Sequence, residues 1–375
     1  MMKKFSGWIL SLALGLTAFS IGLADNAARI SSSVRPVAAD ESLALLPQSD
    51  AVAIIDADRL LNDVLPKIKS AWPQQSEKLI RELDEFISRT GVDPRKVKTI
   101  ALGLSQSGKN TAAVMILDGL ALDSAKLEAL LKEAKAEKAE TISYKGKTIY
   151  VTRPAKKPAG GNGQREEAKN NPQSNVPGSI LNTIISETGL KTDEVAFAQL
   201  DSQRLVAGDQ NQIRKVIDAA TGLNSPGSGL SSELMSALKE TSPTGVIRFA
   251  LSVPENLRQQ LAGQDYFKDL AAVQMVAGTV EVSDDLSLLL DARLRTLTNA
   301  EASKIETSLN GLVAVGKMML GGNEEPLMQA VMQLLTEIKI GAQTNHVSLA
   351  LKVPRALFDQ ALKPAPKKAE SKPEK

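Results

Sequence analysis

The chain has no cysteine in its 375 residues, a single histidine, and only 3% aromatic residues. Without Cys there is no thiol nucleophile, disulfide framework, Cys-x-x-Cys redox pair or thiolate metal site. His346 stands alone, so a multi-histidine metal centre is excluded as well. Charge of one sign is not in excess, with 45 Lys and Arg against 43 Asp and Glu. Nucleic acid is therefore not expected as a partner, because phosphate binding needs a net or clustered surplus of cations. No cofactor, metal or catalytic constellation is expected.

Long hydrophobic runs are also scarce, and the one present is at the start. Lys3 and Lys4 precede the apolar stretch Phe5–Ala24, which breaks at Asp25-Asn26. A basic, an apolar and a small-residue part, with Gly22-Leu23-Ala24 as a cleavage site, form the pattern of a secretory signal peptide. The run is also long enough for an uncleaved N-terminal anchor, which would give the chain its one membrane contact, through residues 5–24. Both alternatives place the protein outside the cytoplasm. Export without disulfides fits a bacterial periplasm or envelope.

The length suits two ordinary domains. Residues 25–40 read as a flexible lead-in, residues 154–178 as a disordered insertion and residues 363–375 as a disordered tail, because each has too little apolar surface to offset its ordering entropy. Between them the hydrophobic period switches between two and 3.6 in a repeated order. Ala51–Asp56 reads as a strand, 58–90 as helices broken at Pro66 and Pro73, Val97–Ser105 and Ala112–Asp118 as strands, and Asp123–Ala136 as a helix. A hairpin then turns at Lys145-Gly146. The order β-α-β-β-α-β predicts a ferredoxin-like unit over 41–240 and a second over 241–362, giving an α+β fold of two tandem domains with helix-covered antiparallel sheets. Val195–Leu200, Arg204–Ala207 and the helix Gln210–Ala220 attach to the first. Internal matches support duplication: Ala250-Leu-Ser-Val-Pro-Glu-Asn-Leu257 parallels Ala350-Leu-Lys-Val-Pro-Arg-Ala-Leu357, each with Pro where a strand gives way to a helix.

Five places carry a trace of chemistry. Gly103 to Asn110 has phosphate-loop spacing, but Asn110 stands where a magnesium-binding hydroxyl belongs and a strand, not a helix, follows. His346 falls at a polar hairpin turn. Ser236 and Lys239 fit S-x-x-K without its companion motifs. Of the carboxylates Asp56 and Asp58, Asp58 reads as a helix cap, and Asp284 with Asp285 reads as a turn.

The segment with most weight is Ile305–Leu335, broken at Gly321-Gly322-Asn323. One apolar stripe, Met328 within it, faces a core, while Val313, Val315, Met318 and Met332 widen the apolar surface beyond it and, with Met319 and Met328, make a set of six. Methionine-rich surfaces adapt to varied apolar partners. These six residues are the expected contact surface for a partner protein of the envelope or an apolar ligand.

Leu45-Leu-Pro-Gln-Ser-Asp-Ala-Val-Ala53, Tyr144-Lys-Gly-Lys-Thr-Ile-Tyr150, Leu200–Asp209 and Ile213–Asp218 resemble exported bacterial proteins carrying a domain of unknown function. The likeness spans residues 41–300 and implies export. It carries no catalytic motif and transfers no functional residue. The expected function is non-enzymatic binding or scaffolding outside the cytoplasm; the alternative is an envelope hydrolase using Ser and Lys or paired carboxylates.

Overall fold

The computed structural model describes residues 37–107, 110–133, 140–152, 195–222, 229–322 and 326–362. Residues 1–24, the 154–178 insertion and the tail from 363 lie outside them.

In chain order the elements are α1 (Val37–Ala44), β1 (Ala51–Asp56), α2 (Leu65–Ala71), α3 (Pro73–Thr90), β2 (Thr99–Ser107), β3 (Asn110–Asp118), α4 (Ser124–Glu133), β4 (Glu140–Tyr144) and β5 (Lys147–Thr152). There follow β6 (Val195–Gln199), β7 (Arg204–Gly208), α5 (Gln210–Ala220), α6 (Ser232–Lys239), β8 (Ile247–Ser252), α7 (Glu255–Ala262), β9 (Met275–Val282) and β10 (Leu288–Arg295). Last come α8 (Asn299–Leu320), α9 (Pro326–Glu337), β11 (Lys339–Gln343), β12 (His346–Val353) and α10 (Arg355–Ala361). Residues 37–40 of the expected lead-in thus open a helix.

Local chemistry explains most boundaries. Pro73 starts α3, and Gly91 at φ 65° ends it in the left-handed conformation that glycine adopts without strain. The β4–β5 turn has Lys145 at φ 49° and Gly146 at φ 75°, the primed geometry whose twist matches a hairpin. Pro254 and Pro354 precede α7 and α10 as the sequence repeat predicts. The cap before residue 59 is Asp56, whose carboxylate accepts from the Arg59 N–H at 3.0 Å. Asp58, the expected cap, instead accepts from Asn62.

The strands among the described residues join one 12-stranded sheet in the order β11-β12-β10-β9-β8-β1-β2-β3-β7-β6-β5-β4. Every neighbouring pair is antiparallel. The architecture is α+β, as expected, but two strand arrangements differ from the ferredoxin-like expectation. First, the two halves share one sheet: β1 pairs with β8 from Ala51–Leu251 to Ile55–Ile247. Each of these strands has buried side chains on both faces, so an unpaired edge on either would leave backbone N–H and C=O groups open to pairing beside apolar side chains.

Second, β8 and β9 are direct neighbours, as are β1 and β2, whereas a split βαβ unit leaves a slot for another strand between them. The cause is the connection. Residue 252, at the end of β8, lies opposite Met275, at the start of β9. The short α7 and the 3₁₀ turn Lys268–Ala272 therefore make an excursion that returns the chain to the end of the sheet it left. The strand after them must then run antiparallel to β8. Asp56 opposite Thr99 shows the same return for β1 and β2.

Helices cover both faces of the first half. On one, α1, α5 and α6 bury Leu43, Ile213, Ile217, Leu234 and Leu238 against Val52, Ile116, Val206 and Ile149. On the other, Phe86 of α3 and Leu127 of α4 pack on Met115, Leu117, Phe197 and Leu205. In the second half, α8 packs Ala302, Ile305 and Leu309 on Leu294, Val347 and Leu349. Burial of such side chains stabilises by roughly 1.5–3 kcal/mol each.

Candidate functional site

Two places on this frame present unspent chemistry: the far end of α8, and a cleft beside α6 on the sheet face opposite α8.

α8 begins with a capping box. The Thr298 hydroxyl accepts from the Glu301 N–H at 3.2 Å, and the Glu301 carboxylate accepts from the Thr298 N–H at 3.0 Å. Its first half then buries Ala302, Ile305 and Leu309, one apolar stripe on the sheet. That stripe ends before the helix does. Val315, Met318 and Met319 are 47%, 74% and 77% exposed, whereas Val313, Met328 and Met332 are half-buried. The structure thus divides the six expected contact residues, leaving Val315, Met318 and Met319 as the open part. Gly316 allows close helix packing here, since a Cβ at that position would stand 3.0 Å from Leu335 Cδ1 of α9.

The cleft arises from strand alternation. On β10, Leu290, Ala292 and Leu294 point to the core, so Asp291, Arg293 and Arg295 point to the other face. Register sets their neighbours. Asp291 stands opposite Thr279, Arg293 between Ala277 and Ser348, and Arg295 between Met275 and His346. The wall is the end of α6, with Ala237, Glu240, Thr241, Ser242 and Pro243. Together they enclose about 570 Å³.

α6 is placed by its own residues. Ser231 caps it, accepting from the Leu234 N–H at 3.1 Å, and Leu234, Ala237 and Leu238 are buried on the sheet. Arg248 on β8 donates to the Thr241 hydroxyl at 3.3 Å. Arg295 then ties wall to floor, one guanidinium nitrogen reaching both Glu240 carboxylate oxygens at 2.7 and 2.8 Å. At the other end, the Thr296 N–H and hydroxyl both donate to the Asn345 carbonyl, fixing the β11–β12 turn.

Two groups in this cleft are displaced from their ordinary protonation behaviour. Burial pushes the Asp291 carboxyl up, and nearby Arg293 only partly opposes it. Burial pushes the His346 imidazole down, reinforced by Arg293 and Arg295 against the pull of Glu240. Neither Asp291 nor Arg293 makes an ion pair or side-chain hydrogen bond among the described residues. They are a carboxylate and a guanidinium on one strand face, each with its capacity open.

The remaining sequence candidates are accounted for locally. Gly103 lies in β2, where a Cβ would meet Ser49 Oγ at 2.7 Å, and β3 follows it, so no helix N-terminus faces a phosphate. The Ser236 hydroxyl donates to Glu240 at 3.3 Å, and both Ser236 and Lys239 are exposed. His346 Nδ1 is 3.4 Å from the hydroxyl of its turn neighbour Thr344. Asp285 accepts from the Ser283 hydroxyl and from the Ser287 N–H and hydroxyl, which holds its carboxyl at about 2; Asp284 pairs with Lys67. Among the described residues no group of three or more His, Asp or Glu is placed to hold a metal ion.

Sequence reasoning missed the cleft. One signal was available, the alternation Asp291-Ala-Arg-Leu-Arg295, which marks a charged strand face. The partners that complete it, Glu240 and His346, come from distant segments.

No family model matches the chain, and no curated protein matches it. Among solved structures it is similar to crystal form I of TP0453, at a TM-score of 0.42 and 7% identity over 89% of this chain and 99% of that one. Crystal form IV of TP0453 gives a TM-score of 0.42 and 8% identity over 88% and 96%.

Proposed function

We propose that the chain is a non-enzymatic binding or scaffold protein of the extracytoplasmic space, built from tandem α+β halves, which contacts a partner protein or an apolar ligand through the end of α8. The observation that carries this reading is the change along α8 from buried Ile305 and Leu309 to exposed Met318 and Met319. Adjacent unbranched thioether side chains in water favour association with an apolar surface, and their adaptability suits a partner of loose shape.

The test is recovery from the envelope. Full-length protein is purified from the producing cell, beside a variant carrying Met318→Lys and Met319→Lys, and the co-purifying protein and lipid are quantified by mass spectrometry. A specific companion should fall by about tenfold or more, equivalent to about 1.4 kcal/mol of binding. Equal recovery from both would sink the proposal. The Phe5–Ala24 run supports export, and the mass of the mature N-terminus distinguishes cleavage after Ala24 from a retained anchor. Among the described residues no helix is long and apolar enough to cross a membrane.

The second reading, an envelope hydrolase, draws on Asp291 and His346 lining the same cleft. Hydrogen bonding weighs against it, because the Ser236 hydroxyl is engaged with Glu240 and His346 has only Thr344 beside Nδ1. Hydrolysis of an ester or amide by wild type, abolished in His346→Gln, would favour the hydrolase.

A further inference from the structure

The cleft beside α6 carries an inference of its own, independent of the α8 end. A pocket of about 570 Å³ is within the range that holds a small molecule. Its cations are not equivalent. Arg295 is committed to Glu240 by two hydrogen bonds, so it braces the wall. Arg293, two residues earlier on the same face, is exposed, has the short side chains of Ala277 and Ser348 on either side, and makes no ion pair among the described residues. Its fork of donors is open to an anion, with the planar geometry that suits a carboxylate.

Asp291 is the complement. It sits on the same strand face, deeper than Arg293, with Thr279 opposite and no hydrogen-bond donor on its oxygens among the described residues. A half-buried carboxylate left without donors costs free energy that an arriving ammonium would recover.

We propose that this cleft binds a small zwitterion, with its ammonium on Asp291 and its carboxylate on Arg293. Residues of one strand face recur about 6.4–6.8 Å apart along the chain. That spacing, extended by the two side chains, admits a ligand whose opposite charges lie at the two ends of a short peptide. Ala237, Ala277 and Gly278 line the space between with little side chain, so the cleft favours small aliphatic groups beside the charges. Because Asp291 is the more buried, the ammonium enters first and the carboxylate stays toward solvent.

The experiment is calorimetric titration of the full chain with trialanine, N-acetyl-trialanine and trialanine amide. Trialanine should give saturable binding. Either cap should weaken it by about tenfold or more, as should Arg293→Gln or Asp291→Asn in protein whose thermal unfolding matches wild type. Absence of saturable binding by trialanine up to about 10 mM, well above an ordinary weak-site Kd, would overturn the proposal. So would undiminished binding of either capped peptide, or of trialanine to either variant. Titration with inorganic phosphate separates a plain anion site: phosphate binding that depends on Arg293, with no competition from trialanine, contradicts the zwitterion assignment.

Discussion

The indole Nε1–H of Trp72 donates to the Asp359 carboxylate at 2.7 Å, joining the α2–α3 junction to the final helix α10 across 287 residues of chain. The Phe358 ring meets the same indole edge-on at 6.1 Å, and the Arg355 guanidinium lies 5.6 Å from its centre. Helices from the two halves therefore share a contact, in addition to the β1–β8 pairing of their strands. Trp72→Phe keeps an aromatic surface and removes the donor, leaving Asp359 without it. A loss of about 1–2 kcal/mol is expected for a partly buried hydrogen bond to a charged group, read from urea unfolding. A single cooperative transition should persist in wild type, because the halves share one sheet.

Ile305 and Met318 lie on one helix and should respond in opposite ways. Ile305 is fully buried, so Ile305→Ala should cost about 2–5 kcal/mol in chemical denaturation. Met318→Ser changes a side chain that is mostly in water and should move stability by no more than about 0.5 kcal/mol. Equal effects would mean that the end of α8 is packed.

Gly278 tests the packing between β9 and β10. A Cβ there would stand 2.3 Å from the Asp291 carbonyl oxygen and 3.0 Å from the Ala292 Cα, atoms of backbone that cannot rotate away. Gly278→Ala should cost about 1–3 kcal/mol or more through strand displacement, visible as faster limited proteolysis of the second half. A variant as resistant as wild type would contradict this register.

The β9–β10 turn gives a pH signature. The Ser283 hydroxyl, then the Ser287 N–H and hydroxyl, lower the Asp285 carboxyl from 3.8 to about 2. A folded-state value below the unfolded one means that Asp285 contributes its full stabilisation above about pH 4 and loses it as pH falls toward 2. The stability gap between wild type and Asp285→Ala should therefore be constant from pH 7 to about 5 and narrow below about 4, as measured by urea unfolding across pH. A gap unchanged down to pH 2 would show that the turn does not depend on the ionised carboxylate.

Much of the architecture was legible because it is local. Alternation marked Ala51–Asp56 and Ala112–Asp118 as strands, and prolines at 254 and 354 marked helix starts. The Lys145-Gly146 turn follows from two residues. Strand order was not legible in the same way: both a split βαβ unit and the observed neighbour pairing produce the order β-α-β-β-α-β, and only the return path through residues 253–274 separates them. The pairing of β1 with β8 depends on contacts nearly 200 residues apart. The candidate sites divide along the same line. The apolar excess along Ile305–Leu335 was visible in the sequence, although which of its residues stay exposed was not. The cleft needs Glu240, Asp291 and His346 on three separate elements, and periodicity within one segment carries no record of that meeting.

The most direct test of the α8 contact is photo-crosslinking in intact envelopes, with a benzophenone side chain placed at Met318 and, as control, at exposed Leu79 on α3. A discrete adduct is expected from position 318 that is missing from position 79 and disappears when Val315 and Met319 are both changed to Lys. Identical products from the two positions, or an adduct indifferent to those lysines, would contradict it.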